Sequence, residues 1–193
     1  APALASKDTL ANLVGASVIF WDRPFAVGGW IVVGDVEGTV EEVGMRTTRV
    51  RTFAKSLITL PNAKFTTSSI NNWSKMPRRR IKMSVGLTYD TKPAQMEAAV
   101  NEVRESIRTN EAIHNDFFLV NFDKMGDSSL EIFIYCFTVT TNWAEFLEVK
   151  QQLLLDIMKR IDNLGLDFAF PTRTIHVESM PGEPKALTAE RPE

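Results

Sequence analysis

A chain of 193 residues with 44% apolar side chains is long enough for one large domain or two small ones, each with its own core. Lys and Arg number 22 against 24 Asp and Glu, and a formal net charge of -2 gives no basic field for gathering nucleic acid. One cysteine, Cys136, excludes an internal disulfide framework and suits a reducing compartment.

The opening APALASKDTL has no initiator Met and starts in mid-pattern, so the chain reads as a piece of a longer protein. It lacks the basic start and cleavage site of a signal peptide. The longest apolar stretch, Leu10 to Trp21, runs about a dozen residues where a spanning helix needs ~20. Ala3 to Phe20 is expected to be helical, with Leu10, Leu13, Val14 and Ser17 on one face and Asp22-Arg23-Pro24 as its stop. From Gly28 to Asn72 the texture changes to short runs of Val, Thr and Ile separated by Gly-containing turns, a small all-β domain. Strands are expected at Trp30–Val33, Val36–Val43, Thr47–Phe53, Leu57–Leu60 and Phe65–Ile70, with a tight hairpin at GDVEG, where Gly34 tolerates positive φ.

A polar linker, Asn71 to Arg80, leads to a second domain. Ile81, Met83, Val85 and Leu87 alternate with polar or small residues, the period of a half-buried strand. Pro93 opens a helix with Met96, Ala99, Val100, Val103 and Ile107 on one face. Strands at Phe117–Phe122 and Leu130–Phe137 follow, then a helix capped by Asn142 and Glu145, bearing Leu147, Leu154, Ile157, Met158 and Ile161 and stopped by Gly165. A last strand, Thr172–Glu178, completes β-α-β-β-α-β, the ferredoxin-like order. The fold class is therefore α+β, in segments 1–21 (helix), 22–72 (β domain), 73–179 (ferredoxin-like domain) and 180–193, a polar tail expected to be disordered.

Enzyme motifs are absent. His114 and His176 have no partner at metal-ligand spacing, Ser128 and Ser129 lack a nucleophile-elbow context, and no glycine loop precedes a helix. The expectation is no catalytic residue, no cofactor and no metal. Cys136 alternates with Ile132 and Ile134 on the inward strand face, as a small hydrophobe does. Arg46, Arg49 and Arg51, and Arg78 to Arg80, are expected to be solvated or ion-paired. Phe133, Tyr135 and Phe137 occupy the face that two helices on one side of the sheet would leave open, which is expected to mark an interface unless the tail or the other domain covers it. An RNA-binding module also stacks bases on such a face, but its third strand opens on a basic motif, where SLEIFIYCF has Glu131.

DRPFAVGGWIVVGDVEGTVEEVGMRTTRVRTF (Asp22–Phe53) and LITLPNAKF (Leu57–Phe65) closely resemble the small-conductance mechanosensitive channel family, and DSSLEIFIYCF and DFAFPTRTIHVE continue the likeness. TTNWAEF and Lys7-Asp8 look closer to the branch with larger membrane domains. The resemblance implies a homo-oligomeric ring, a heptamer in the family, in the bacterial inner membrane with this region on the cytoplasmic side. Its partners would be membrane lipid and permeant ions, with no nucleic acid. The N-terminal helix would hold the end of the pore-lining helix and a membrane-surface segment, the β domain an Sm-like ring, and the ferredoxin-like domain a vestibule wall. By the same resemblance Leu4 is a gate position that closes the pore by dewetting, and Asp8 stands where smaller relatives bend at glycine. Leu10, Leu13 and Val14 would couple the helix to the β ring, and Asn72, Lys75 and Met76 would lie near the vestibule portals. Bilayer tension would favour the wider state, and ions and osmolytes would leave during hypoosmotic stress.

Overall fold

The computed structural model describes residues 2–171, with the side chains of residues 10–171, and divides into two compact units, residues 1–79 and 80–193. Residues 73–79, placed with the second domain by the sequence pattern, fall in the first unit.

The first unit begins with helix α1, Pro2–Asp22. Strands β1 (Trp30–Val33), β2 (Val36–Val43), β3 (Thr47–Arg51) and β4 (Leu57–Pro61) follow. A single turn of helix, α2 (Lys64–Thr67), leads to β5 (Ile70–Asn72) and a 3-10 turn, Trp73–Lys75. The five strands form one antiparallel sheet in the order β4-β3-β2-β1-β5, the Sm-like domain. The first hairpin closes on Val33 opposite Val36, and Gly34 takes φ 58° as the tight turn demands. Period-two alternation sends Ile31, Val33, Val40 and Val50 inward, where they are fully buried with Leu60, Phe25, Phe65 and Ile19 of α1. Burial of each such side chain contributes roughly 1.5–3 kcal/mol.

Phe65–Ile70 is not a strand. After Pro61 the amides of Phe65, Thr66 and Ser68 bond back to the carbonyls of Asn62, Ala63 and Lys64, winding α2, and extension resumes only at Ile70. The turn places the Phe65 ring 5.0 Å from that of Phe25, and this tertiary contact overrides the β propensity of Thr66 and Thr67.

The second unit runs β6 (Arg79–Leu87), α3 (Pro93–Arg108), β7 (Leu119–Met125), β8 (Leu130–Thr138) and α4 (Trp143–Asn163), with sheet order β6-β8-β7. After α4 the chain returns to β6: Leu87 bridges Phe168, and the Ala169 amide donates to Gly86 at 2.9 Å. The ferredoxin-like order is thus present through its fifth element. The expected strand Thr172–Glu178, with His176, and the tail from 180 lie outside the described residues.

Helix α4 starts where Asn142 Oδ1 accepts the amides of Ala144 and Glu145. The expected reciprocal bond from Glu145 is relayed: the Asn142 amide donates to Thr140 Oγ1, whose hydroxyl donates to the Glu145 carboxylate. The row facing the sheet is Phe146, Val149, Leu153, Ile157 and Ile161, not the expected one: of the predicted residues only Ile157 and Ile161 are inside, while Leu147, Leu154 and Met158 are exposed. This phase lets Arg160 bond both Asp156 on its own helix and Glu102 on α3, each at 2.8 Å.

Cys136 is fully buried beside Ile132 and Ile134, and burial pushes its thiol from an ordinary value near 9 up to about 11. The native thiol should therefore resist a disulfide exchange reagent at pH 8 and react only as the chain unfolds. Because the unfolded thiol loses its proton first, stability falls as pH rises from about 9 towards 11, which urea titrations at graded pH would show. On the opposite face of β8, Tyr135 lies 6.3 Å from Phe133, 5.3 Å from Phe137 and 6.2 Å from Phe117, with the Arg80 guanidinium 5.9 Å from its ring centre. These aromatic side chains form one continuous patch on the face away from the core.

Candidate functional site

The most constrained part of the first unit is where α1 lies on the β domain. Asn12, Gly15 and Ile19, spaced by three and four residues, form the buried face of the helix. Asn12 Oδ1 accepts the Ala63 amide at 3.0 Å, so a polar side chain in an apolar helix satisfies a donor at the start of α2. One turn on, the helix backbone approaches so closely that a Cβ added at Gly15 would sit 2.5 Å from the Asn62 carbonyl oxygen.

Asn62 is the anchor beneath. It is fully buried, its amide nitrogen donates to the Gly44 carbonyl at 2.8 Å, and its Oδ1 accepts the Thr48 hydroxyl at 2.9 Å. Its backbone amide donates to Arg46 at 2.9 Å. One side chain thus ties the end of β4 to the β2–β3 turn while its carbonyl seats α1. Both polar atoms of this buried side chain thus have a protein partner.

The expected coupling residues Leu10, Leu13 and Val14 are 62%, 49% and 51% exposed, with Leu13 lining a groove beside Val43, Gly44 and Met45, while the buried seat of the helix is Asn12, Gly15 and Ile19. The apolar face left outward continues into Phe20 and Trp21, also exposed. Rotating the helix to bury its larger side chains would put a Cβ where only glycine allows backbone contact. Leu4 and Asp8 fall in α1, but their side chains lie outside the described residues.

Of the predicted portal residues, two hold the chain together. Asn72 Nδ2 donates to the Pro24 carbonyl at 2.7 Å while its Oδ1 caps the 3-10 turn through Ser74 and Lys75 amides. Lys75 Nζ donates to the Arg23 carbonyl at 3.0 Å. The chain segments entering and leaving the β domain are clasped, at a point where Arg23 takes φ 45°. Met76, half-buried, ends the 3-10 turn. Beside the clasp Trp30 packs against Trp73 and Phe53 at 5.6 and 5.2 Å, with Arg79 5.2 Å from its ring centre. Arg49 and Arg51 are spent on Glu42 and Glu41, both at 2.8 Å, in exposed pairs worth roughly 0–1 kcal/mol each.

Among the described residues no cluster of three or more His, Cys, Asp or Glu could hold a metal ion, and no helix is long and apolar enough to cross a membrane. Asn12, Gly15 and Asn62 were missed by sequence reasoning. The available signal was an Asn and a Gly three residues apart inside the mostly apolar stretch Leu10–Trp21.

Comparison with known proteins bears on both units. Residues 8–75 match the β-domain of mechanosensitive ion channels, and residues 81–168 match the C-terminal domain of mechanosensitive ion channel MscS. The low conductance mechanosensitive channel YnaI of Escherichia coli is 39% identical over 180 residues, 92% of this chain and 52% of YnaI. An uncharacterized MscS family protein of Aquifex aeolicus is 37% identical over 182 residues, 94% of this chain and 50% of the relative. The chain therefore spans about half the length of these two relatives. Among solved structures, closed-state Helicobacter pylori MscS superposes with a TM-score of 0.79 at 25% identity, covering 92% of this chain and 69% of that one. The A320V form of Arabidopsis thaliana MSL1 gives 0.81 at 27% identity, covering 86% and 63%. With both of its units matched in order, the chain belongs to the MscS family of mechanosensitive ion channels.

Proposed function

We propose that this chain is the cytoplasmic part, with the end of the pore-lining helix, of a subunit of a tension-gated ion channel, and that it performs no chemical step. The observation that carries the reading is the seating of α1: its small and polar face is fixed to the β domain, and its apolar face, from Leu10 to Trp21, is turned outward. A helix so held can meet lipid or neighbouring subunits on one side and move the β domain from the other. Tension then acts as a bias between two packings, favouring the one with larger in-plane area.

In this reading Leu4 lies at the gate, Asp8 near the bend, and Leu10, Leu13 and Val14 face membrane or a neighbouring copy. Asn72 and Lys75 shape the vestibule rim by clasping the chain there, and Met76 lies beside them. The assembly is a homo-oligomeric ring, seven subunits by family likeness, in a bacterial inner membrane with these domains on the cytoplasmic side. Exposed Leu147, Leu154 and Met158 on α4 supply an apolar stripe for neighbouring copies. Changing Leu154→Glu and Met158→Glu in the full-length protein should lower the assembly's mass in light scattering, and an unchanged mass would remove α4 from the interface.

The functional test is survival. Cells stripped of their own tension-gated channels and supplied with the full-length protein should withstand an abrupt fall in external osmolarity, with rapid solute release. Lysis equal to that of the stripped cells would contradict the proposal.

A further inference from the structure

A cavity of about 800 Å³ opens in the second unit between α3 and the end of the β7–β8 hairpin. That volume is in the range of small-ligand sites. Its wall is apolar over most of its surface: Met96 and Val100 from α3, Phe122 and Met125 from β7, and Leu130 from β8. One end is closed where the Tyr89 hydroxyl donates to the Gly126 carbonyl, pinning the loop before α3 to the hairpin turn.

The other end is polar and of one kind. Arg104 donates to the Val120 carbonyl at 2.8 Å, to Asn101 Oδ1 at 3.1 Å and to Asn121 Oδ1 at 3.4 Å. A guanidinium has no acceptor, so both amides must turn their oxygens to it, and both NH2 groups are directed away from it. Among the described residues neither NH2 has a protein partner. A fixed cation and two outward NH2 donors therefore stand at the mouth of an apolar cavity, an arrangement that complements an oxygen anion on an apolar body. Glu97 lies on the same wall, seven residues and about 10 Å of helix before Arg104. It repels a second negative charge and restricts the anion to a single head at the Arg104 end.

We infer that this cavity is a binding site for a free amphipathic monocarboxylate, its head on Arg104, Asn101 and Asn121 and its chain along Met96, Val100, Phe122 and Met125. The inference stands apart from channel function, because binding is read on the purified protein without current or tension.

The probe is decanoate below its micellar concentration, titrated into the full chain by calorimetry, with decanol and decyltrimethylammonium as neutral and cationic counterparts. Decanoate should saturate at one per chain, and the counterparts should bind at least about tenfold more weakly. Exposed Asn101 and Asn121 carry little packing, so the double variant Asn101→Leu, Asn121→Leu should fold and lose about tenfold in decanoate affinity with decanol unchanged. Met125→Trp, at an exposed wall position, should block the cavity and abolish saturation while leaving thermal unfolding in place. No saturable binding, equal binding of all three probes, or unaltered affinity in the double variant would overturn the assignment. So would binding to phosphatidylglycerol vesicles without binding of monomeric decanoate, which would make the site a membrane contact.

Discussion

Replacing Gly15 with valine is expected to lift α1 from the β domain. A Cβ at this position would meet the Asn62 carbonyl oxygen at 2.5 Å, its carbon at 2.6 Å and the Ala63 nitrogen at 2.9 Å. All three are backbone atoms, held by the bonds of Asn62 to Gly44, Thr48 and Arg46, so the helix must move instead. Its displacement removes Asn12 Oδ1 from the Ala63 amide, and hydrogen exchange at that amide should quicken about a hundredfold, equivalent to ~2.7 kcal/mol. Exchange in β1, held by its ladders to β2 and β5, should change far less. Gly15→Ala should show the same pattern, more weakly. Unaltered protection of the Ala63 amide in the valine variant would mean that this contact does not seat the helix.

Asn62→Ala should produce the largest loss of β-domain stability of any polar substitution. It orphans the Gly44 carbonyl and leaves the fully buried Thr48 hydroxyl without its acceptor, at a cost of roughly 2–4 kcal/mol. Asn62→Asp keeps the acceptor for Thr48 but presents a carboxylate to the Gly44 carbonyl, so it should destabilise no less at neutral pH and recover in part on acidification. Urea unfolding followed through the fluorescence of Trp30 and Trp73, the two tryptophans packed together in the β domain, would measure both. A change within about 0.5 kcal/mol, as at ordinary surface sites, would contradict the role assigned to this residue.

The order of strands and helices was legible because each obeys a simple period. Trp30–Val33 and Val36–Val43 begin and end where alternation predicts, and the Pro93 helix buries the expected row. The failures have one origin. At Phe65, local β propensity competed with a ring contact to Phe25 that lies far away in sequence. On α4 two apolar rows share one helix, and what puts Phe146, Val149 and Leu153 inside is packing against α3 and the sheet, elements distant in sequence. On α1 the larger apolar side chains drew attention, yet the joint is made by a glycine chosen for absence of bulk and an asparagine chosen for one acceptor. Hydrophobic patterning does not register either choice, since both residues look like interruptions. The clasp by Asn72 and Lys75 was hidden for the same reason: it satisfies backbone carbonyls at Pro24 and Arg23, which carry no side-chain signature.

The most direct measurement is current in membrane patches from cells without other stretch-activated channels, carrying the full-length protein as wild type or as Gly15→Val. The wild type should give suction-evoked single-channel openings, and the variant, expressed in equal amount, should open at a shifted tension. Wild-type patches that stay silent up to rupture would contradict the account.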